Sequence, residues 1–369
     1  MTIIRRPPKD GARKIYTNTL LVDGNSLFKV GYHGANEFNE RGEAIGGIYQ
    51  FITMLRKLLN ESIYHKVYIL WDGKLSGKLR YDIYSDYKKT RKNYESPDGS
   101  IEGTEKDPSF ILQKFKLIEY LQELPIRQFN FEFIEGDDLI AYYCLRKDEL
   151  EKITIVSGDG DMYQLITPDI RIYSCRPSIK NYIQYDNFNQ YNSYLCDNAM
   201  LIKMITGDVS DNIKGVKGFG DTTLMNYFPE LNERKVTLEE LIEKAKILQE
   251  ERVLNKKKPK KDLDNFINGV TTGVHNGKLY EINEKLVNLK KPLLTDKAKE
   301  KFDELIDCGI DLEGRDIKNL YTKMKEDGVD KLIKQTFMEY FLPFKKLVER
   351  EKKQLQEFNT ENDDNDNNN

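Results

Sequence analysis

The 369-residue sequence has little of what several chemistries require. Its four cysteines, Cys144, Cys175, Cys196 and Cys308, lie far apart without a CxxC pair, which excludes a disulfide framework and a cysteine-built zinc site. Three histidines occur, His33, His65 and His275, and none stands in a Ser or Cys arrangement suited to covalent catalysis. No apolar run approaches the ~20 residues that cross a bilayer. The basic N-terminus lacks the apolar stretch of a secretory signal, so the chain is expected to act in the cytoplasm. An excess of positive charge is also missing: 58 Lys and Arg face 61 Asp and Glu, a net charge of −3, whereas nucleic-acid-binding domains usually show a basic balance. The distribution is uneven, however. Cations gather at 74–92 and 256–261, and acids gather in short motifs and in the tail, so a basic face can coexist with an acidic pocket.

What is present is an alternation of short β-rich runs with helical spacing, which predicts an α/β core with a mostly parallel central sheet flanked by helices. Strands are expected at 19–22, 67–71, 126–129, 153–156 and 170–173, with helices at 45–60, 110–124 and 137–146. Ligands of such sheets bind beyond the carboxyl ends of the strands. Asp23, Asp72, the Glu135–Asp138 group and Asp159 closely follow four of these runs. Residues 74–107 break the alternation with Lys, Arg and Tyr followed by Gly, Pro, Ser and Asp, too long for an ordinary connection and so read as a functional excursion. From Asp197 the pattern turns helical, with 199–206 and 221–227 flanking a glycine-spaced turn at 215–220. Charged helices continue to about Glu357, and the Asn/Asp-rich end has no apolar content and is expected to be disordered.

Five motifs supply nine carboxylates: VDGNS with Asp23, LWDG with Asp72, EGDD with Glu135, Asp137 and Asp138, SGDGD with Asp159 and Asp161, and TGDVSD with Asp208 and Asp211. Mg²⁺ and Mn²⁺ prefer oxygen donors, and Mg²⁺ keeps several waters while using one or two carboxylates, so nine acids suffice for two ions and their surroundings. Paired ions suit phosphodiester cleavage because they need no side-chain nucleophile. Taken singly, each DG or GD is more often a turn than a ligand. Their recurrence at the same end of the expected strands is what argues for a site.

Lys88 and Arg91 stand three apart and would share a helix face, with Tyr87 adjacent. Cations interleaved with aromatics suit a nucleic-acid strand, phosphates pairing with the cations and bases stacking on Tyr. The plain alternative is a solvated amphipathic helix. In the glycine turn, Gly215, Gly218 and Gly220 would let the backbone approach phosphates while Lys214 and Lys217 add charge; a simple helix–helix turn is the equally available reading.

In order, VDGNS, LWDG, the YKxxR element at Tyr87–Arg91, EGDD, SGDGDMYQL and TGDVSDNIKGVKGFG resemble the structure-specific 5′ nuclease family, which includes phage 5′-to-3′ exonucleases, flap-type ribonuclease H and flap endonucleases. The resemblance covers roughly residues 19–288 and implies a PIN-like core over 1–196 with a helical arch at about 74–108. It further implies a helix–three-turn–helix duplex-binding region over 197–300, followed by a C-terminal helical region at 301–358 and a disordered tail at 359–369. It implies a Mg²⁺-dependent exonuclease and flap endonuclease with two ions, for which Mn²⁺ can substitute, acting on flapped, nicked or gapped DNA and on RNA–DNA primers. Asp23, Asp72, Glu135, Asp137, Asp138 and Asp159 fall on the first metal cluster, and Asp159, Asp161, Asp208 and Asp211 on the second. Lys88 and Arg91 match cations that contact the scissile phosphate, and Tyr87 matches an aromatic that stacks on a terminal base. The length fits a free-standing, phage-encoded monomer that meets a single-strand-binding or other replication protein and no membrane. Two rival readings share some of these features: a non-catalytic DNA-junction binder with a structural metal site, and a PIN-type ribonuclease without the glycine turn.

Overall fold

The computed structural model describes residues 17–89, 107–271, 278–306, 308 and 310–366, with side chains as far as 353. Its centre is a six-stranded sheet. β1 (Thr17–Asp23) leads into α1 (Gly24–Gly34) and α2 (Gly46–Glu61), then β2 (Lys66–Leu70), the short α3 (Lys78–Ile83), α4 (Pro108–Leu121) and β3 (Arg127–Phe129). α5 (Gly136–Leu145) and β4 (Glu151–Ser157) follow, and β5 (Ile170–Ser174) and β6 (Tyr182–Ile183) complete the sheet. The order is β3-β2-β1-β4-β5-β6, parallel throughout except at the β5–β6 edge. Strand order therefore reverses between β1 and β4, the switch point where open parallel sheets bind ligands.

Both faces of β1 are covered, which explains its unbroken apolar run: Leu20, Leu21 and Val22 have no exposed surface. One face packs against α1, α2 and α4 through residues such as Phe28, Phe51, Leu55 and Leu117. The other packs against α5 through Leu139 and Ile140. All four cysteines are free and buried.

Beyond the sheet, α6 (Ala199–Thr206) and α7 (Asp221–Tyr227) occupy the expected positions, but the connection between them is more than a glycine turn. It contains a hairpin of β7 (Gly207–Asp208) and β8 (Ile213–Lys214), whose two-residue strands are too short to leave a periodic signal. α8 (Leu238–Leu254), α9 (Lys261–Ile267) and α10 (Leu279–Val287) build a separate apolar cluster with α6 and α7. α11 (Asp296–Ile306), α12 (Ile317–Glu326) and α13 (Phe337–Asp366) follow. Tyr340, Phe341, Phe344 and Leu347 of α13 join Leu320 and Met324 of α12 in the core that contains α2. The Asn/Asp-rich end departs from expectation: α13 continues through 359–366 instead of ending in a disordered tail. A helix already nucleated by a packed face gains one hydrogen bond for each further residue it fixes, so weak formers can be carried along. Residues 367–369 lie outside the described residues.

Candidate active site

Strand ends aim the acids. Asp23 terminates β1 and caps α1: one carboxylate oxygen accepts the Ser26 N–H at 2.9 Å, and the other accepts the Ser157 hydroxyl at 2.8 Å. Asp72 lies two residues past β2 and accepts the Gly136 N–H at 2.8 Å, which ties it to the start of α5. Gly73 is required there, because a Cβ would come within 1.7 Å of the Phe131 carbonyl oxygen. Asp159 follows β4 and caps a 3-10 turn over Gly160–Leu165, accepting the Asp161 N–H at 2.9 Å.

These residues converge. Asp23, Asp72, Glu135, Asp137, Asp159, Asp161 and Asp211 line one cavity of about 190 Å³, with Lys29, Arg80, Tyr87 and Lys88 among its other walls. The acids divide into those with a cationic neighbour and those without. Burial pushes Asp23 up to about 7, against the Ser26 N–H and the Ser157 hydroxyl, with Asp72 and Asp159 adding repulsion. Burial and then Asp23, Asp159, Asp72 and Glu135 drive Asp137 well above the carboxylate range. Burial is the largest influence at Asp72 and Glu135 and works to raise them, but Lys88 with the Gly136 N–H, Lys29 and Lys114 at Asp72, and Lys88 with Arg80 at Glu135, together outweigh it and hold both below their ordinary values.

Two of the nine acids are not on the cavity wall. Asp138 is 1% exposed and grips Arg80 with both oxygens, at 2.5 and 3.0 Å, while accepting the Leu293 N–H at 2.9 Å. Asp138, expected among the metal ligands, therefore lies off the cavity wall with its charge met by Arg80. Arg80 also reaches Glu135 at 2.6 Å. Asp208 sits on the β7–β8 hairpin and reaches the cavity through Lys203, whose ammonium lies 2.5 Å from Asp208 and 2.5 Å from Asp161. Burial raises Asp161 to about 7, with Asp159 adding to it and Lys203 opposing, whereas Lys203 and Ser210 overcome burial at Asp208 and hold it at about 2. Sequence reasoning missed Arg80 and Lys203. Arg80 was hidden in the basic run, while Lys203, five residues before Asp208 on an adjoining helix, was within reach of a spacing argument.

The basic arm is described only to Lys89, so Arg91 lies outside the described residues. The helix expected to carry Lys88 is absent: α3 stops at Ile83, and Lys88 adopts a left-handed φ of 55°. Its N–H donates to the Asp211 carbonyl at 2.8 Å, and the Asn212 side chain donates to the Asp86 carbonyl at 2.8 Å, which stitches the arm's base to the hairpin. From there the Lys88 ammonium reaches Glu135. Tyr87 also departs from expectation. Its ring is 2% exposed, and its hydroxyl meets Glu135 at 3.1 and 3.2 Å and Asp211 at 3.0 Å, so it is not an open stacking platform. Lys214, Lys217, Gly218 and Gly220 of the glycine turn are exposed, and Gly215 is partly covered. Gly215 must be glycine, since a Cβ would lie 2.1 Å from the Thr206 carbonyl oxygen. The Lys217 N–H is committed to the Val270 carbonyl at 2.9 Å, so that amide holds the turn together instead of facing outward.

Among the described residues no three carboxylates form a finished cage around one point; they ring the hollow. That arrangement fits a hard cation that retains water and takes one or two carboxylates directly. Mutually repelling acids with raised pKa values are what such a site shows before positive charge arrives.

The family model for the 5′-3′ exonuclease N-terminal resolvase-like domain matches residues 18–194. The 5′-3′ exonuclease of Mycoplasmopsis pulmonis is 30% identical over 232 residues, spanning 61% of this chain and 72% of that protein. The 5′-3′ exonuclease of Bacillus subtilis is 30% identical over 236 residues, 62% of this chain and 74% of that one. Among solved structures, the bacteriophage T5 flap endonuclease complexed with DNA and metal ions shares the fold, with a TM-score of 0.57 and 19% identity over 79% of this chain and 98% of that chain. Among the described residues no helix is long and apolar enough to cross a membrane. With six ordered motifs, a matching domain and two such relatives, the chain belongs to the 5′-3′ exonuclease family of nucleases.

Proposed function

We propose that the chain is a magnesium-dependent 5′-to-3′ exonuclease and flap endonuclease that hydrolyses phosphodiester bonds in flapped, nicked, gapped or RNA-primed DNA. One observation carries the proposal: seven carboxylates face a single hollow at the switch point of the sheet, with the Lys88 ammonium beside them. The DNA and metal ions in the phage T5 flap endonuclease structure support the same reading. Asp23, Asp72, Glu135, Asp137 and Asp159 would hold one cation, and Asp159, Asp161, Asp208 and Asp211 a second, Mn²⁺ serving in place of Mg²⁺. Bound there, the pair supplies a water of lowered pKa and charge stabilisation at the attacking and leaving oxygens.

The remaining work falls to the protein's own side chains. Ser26 and Ser157 fix the orientation of Asp23, and Gly136 fixes that of Asp72. Lys203 holds Asp161 beside Asp208 and so joins the hairpin to the core. Lys88, seated by the Asp211 carbonyl, is placed to neutralise a phosphate entering the cavity, and Arg91 is assigned the same task. Lys214 and Lys217, with Gly215, Gly218 and Gly220, grip the duplex behind the cut. By this reading residues 1–196 cut, 197–300 hold duplex, and 301–358 brace the cutting domain, in a monomer.

The test uses a labelled 5′-flap DNA with Mg²⁺, with EDTA, and with an Asp159→Asn variant. Cleavage with Mg²⁺ alone is expected. Cutting that persists in EDTA, or in the variant, overturns the two-metal mechanism.

A further inference from the structure

A second basic surface, apart from the cavity and the glycine turn, lies between α8 and α9. Lys256, Lys257, Lys258, Lys260 and Lys261 are all exposed there within six positions, interrupted only by Pro259. Five like charges so close repel one another. A chain segment left to repulsion would splay, yet this loop is anchored at several points. The buried Gln249 side chain donates to the Lys260 carbonyl at 2.8 Å and accepts the Lys260 N–H at 2.9 Å, while also donating to Asp264 at 2.6 Å. Arg252 donates through its Nε to the Lys258 carbonyl at 3.1 Å, and its own carbonyl accepts the Lys257 N–H at 2.8 Å. A loop with a fixed backbone and exposed ammoniums loses less entropy on meeting a polyanion than a floppy one does.

Its position identifies the polyanion. The loop runs straight into α9, whose Asp262 is close enough to the glycine turn that a Cβ at Gly218 would meet it at 3.3 Å. Asp262 also accepts the Tyr227 hydroxyl at 2.9 Å, and the Lys260 ammonium lies 5.3 Å from the centre of the Tyr227 ring. Asn265 of α9 donates to the Lys217 carbonyl at 3.1 Å. The two basic surfaces are therefore parts of one braced unit, and a rod of regularly spaced phosphates lying on the turn has the loop beside it.

We propose that Lys256–Lys261 is a second duplex contact that extends the glycine-turn grip along the DNA backbone, so that affinity depends on the length of the duplex arm. This rests on the reading of the chain as a DNA-cutting enzyme with a duplex grip at Lys214 and Lys217. The surface is sequence-neutral, because ammoniums on phosphates carry no base information.

The experiment measures binding of the full chain in EDTA, so that no cutting intervenes, to flap DNAs whose duplex arm is short or long. The five lysines are changed together to Gln, and a separate variant carries Lys214→Gln and Lys217→Gln. For the five-lysine variant the expected result is a loss of about 10-fold or more on the long arm and none on the short arm. Its salt dependence should be shallower by ~0.9 in logarithmic slope for each phosphate it no longer neutralises. Equal affinity and slope for wild type and the five-lysine variant on the long arm overturn the proposal. An equal loss on single-stranded DNA or on an acidic peptide also overturns it, in favour of a general polyanion patch. Failure of the underlying reading looks different: the Lys214/Lys217 variant then binds both arms normally, whatever the loop variant does.

Discussion

The two sides of the acidic cavity handle negative charge in opposite ways. Around Asp23 and Asp137 the neighbours are neutral donors and other carboxylates, and both carboxyls are pushed up, by burial first and then by mutual repulsion. Behind them, Arg80 neutralises Glu135 and Asp138, and on the hairpin Lys203 neutralises Asp208. The difference separates acids whose charge is offset by a cation within the protein from acids whose charge is not. A motif such as EGDD contains both kinds: Asp137 faces the hollow, while its neighbour Asp138 is spent on Arg80.

Removing charge from the compensated side gives the largest expected change. Arg80→Ala leaves Glu135 and Asp138 buried without their partner and should cost ~3–5 kcal/mol of stability, read as a lower unfolding midpoint in urea. A variant as stable as wild type means the pair is not structural. Next comes Lys88→Ala, placed between the two sides. Turnover on flap DNA at saturation should fall ~10²–10³-fold, as when a comparable electrostatic stabiliser is lost. A normal rate assigns Lys88 to holding Glu135 and nothing more.

The third prediction separates the two sides by pH. Asp23 binds its proton more tightly in the folded protein than in the unfolded chain, so in EDTA its contribution is fully present below about pH 4 and is lost as pH rises through about 7. Each unit by which its pKa is raised is worth ~1.4 kcal/mol. Asp208 has the reverse sign: held at about 2, it contributes above pH 4 and loses that contribution as pH falls toward 2. Melting temperatures of the metal-free protein should therefore fall from pH 5 to pH 8, and Asp23→Asn should flatten the decline. A decline equally steep in the variant places the uncompensated charge elsewhere. The smallest effect is expected far from the cavity, where Lys217→Ala should weaken duplex binding modestly and make its logarithmic salt slope shallower by ~0.9. An unchanged slope removes Lys217 from the DNA surface.

Much of the frame was legible because it is written in local pattern. The runs around Leu20–Val22 and Ile153–Val156 are apolar enough to mark strands covered on both faces, and Asp23 and Asp159 stand in plain view at their carboxyl ends. Helices α6 and α7 kept the expected bounds, because 3.6-residue spacing is also local. What escaped was nonlocal or too short. β6, β7 and β8 have two residues each, below any period. The left-handed turn at Lys88 depends on the Asp211 carbonyl, 123 positions away, and the burial of Tyr87 depends on the same hairpin. The pairing of Arg80 with Asp138 rather than with solvent could not be seen from a basic run. The C-terminal helices read only as charged segments, and nothing local announced that Tyr340, Phe341 and Phe344 would join the core that contains α2.

All of this turns on whether the uncompensated acids receive external cations. The most direct measurement is calorimetric titration of Mn²⁺ into the EDTA-stripped protein, dialysed free of chelator, at pH 6.5 in buffers of different ionisation enthalpy, with Asp23→Asn beside the wild type. Saturable binding with release of protons from the wild type, and weaker binding with fewer protons released from the variant, is the predicted result. Absence of saturable binding, or identical affinity and proton release in both proteins, would contradict the account.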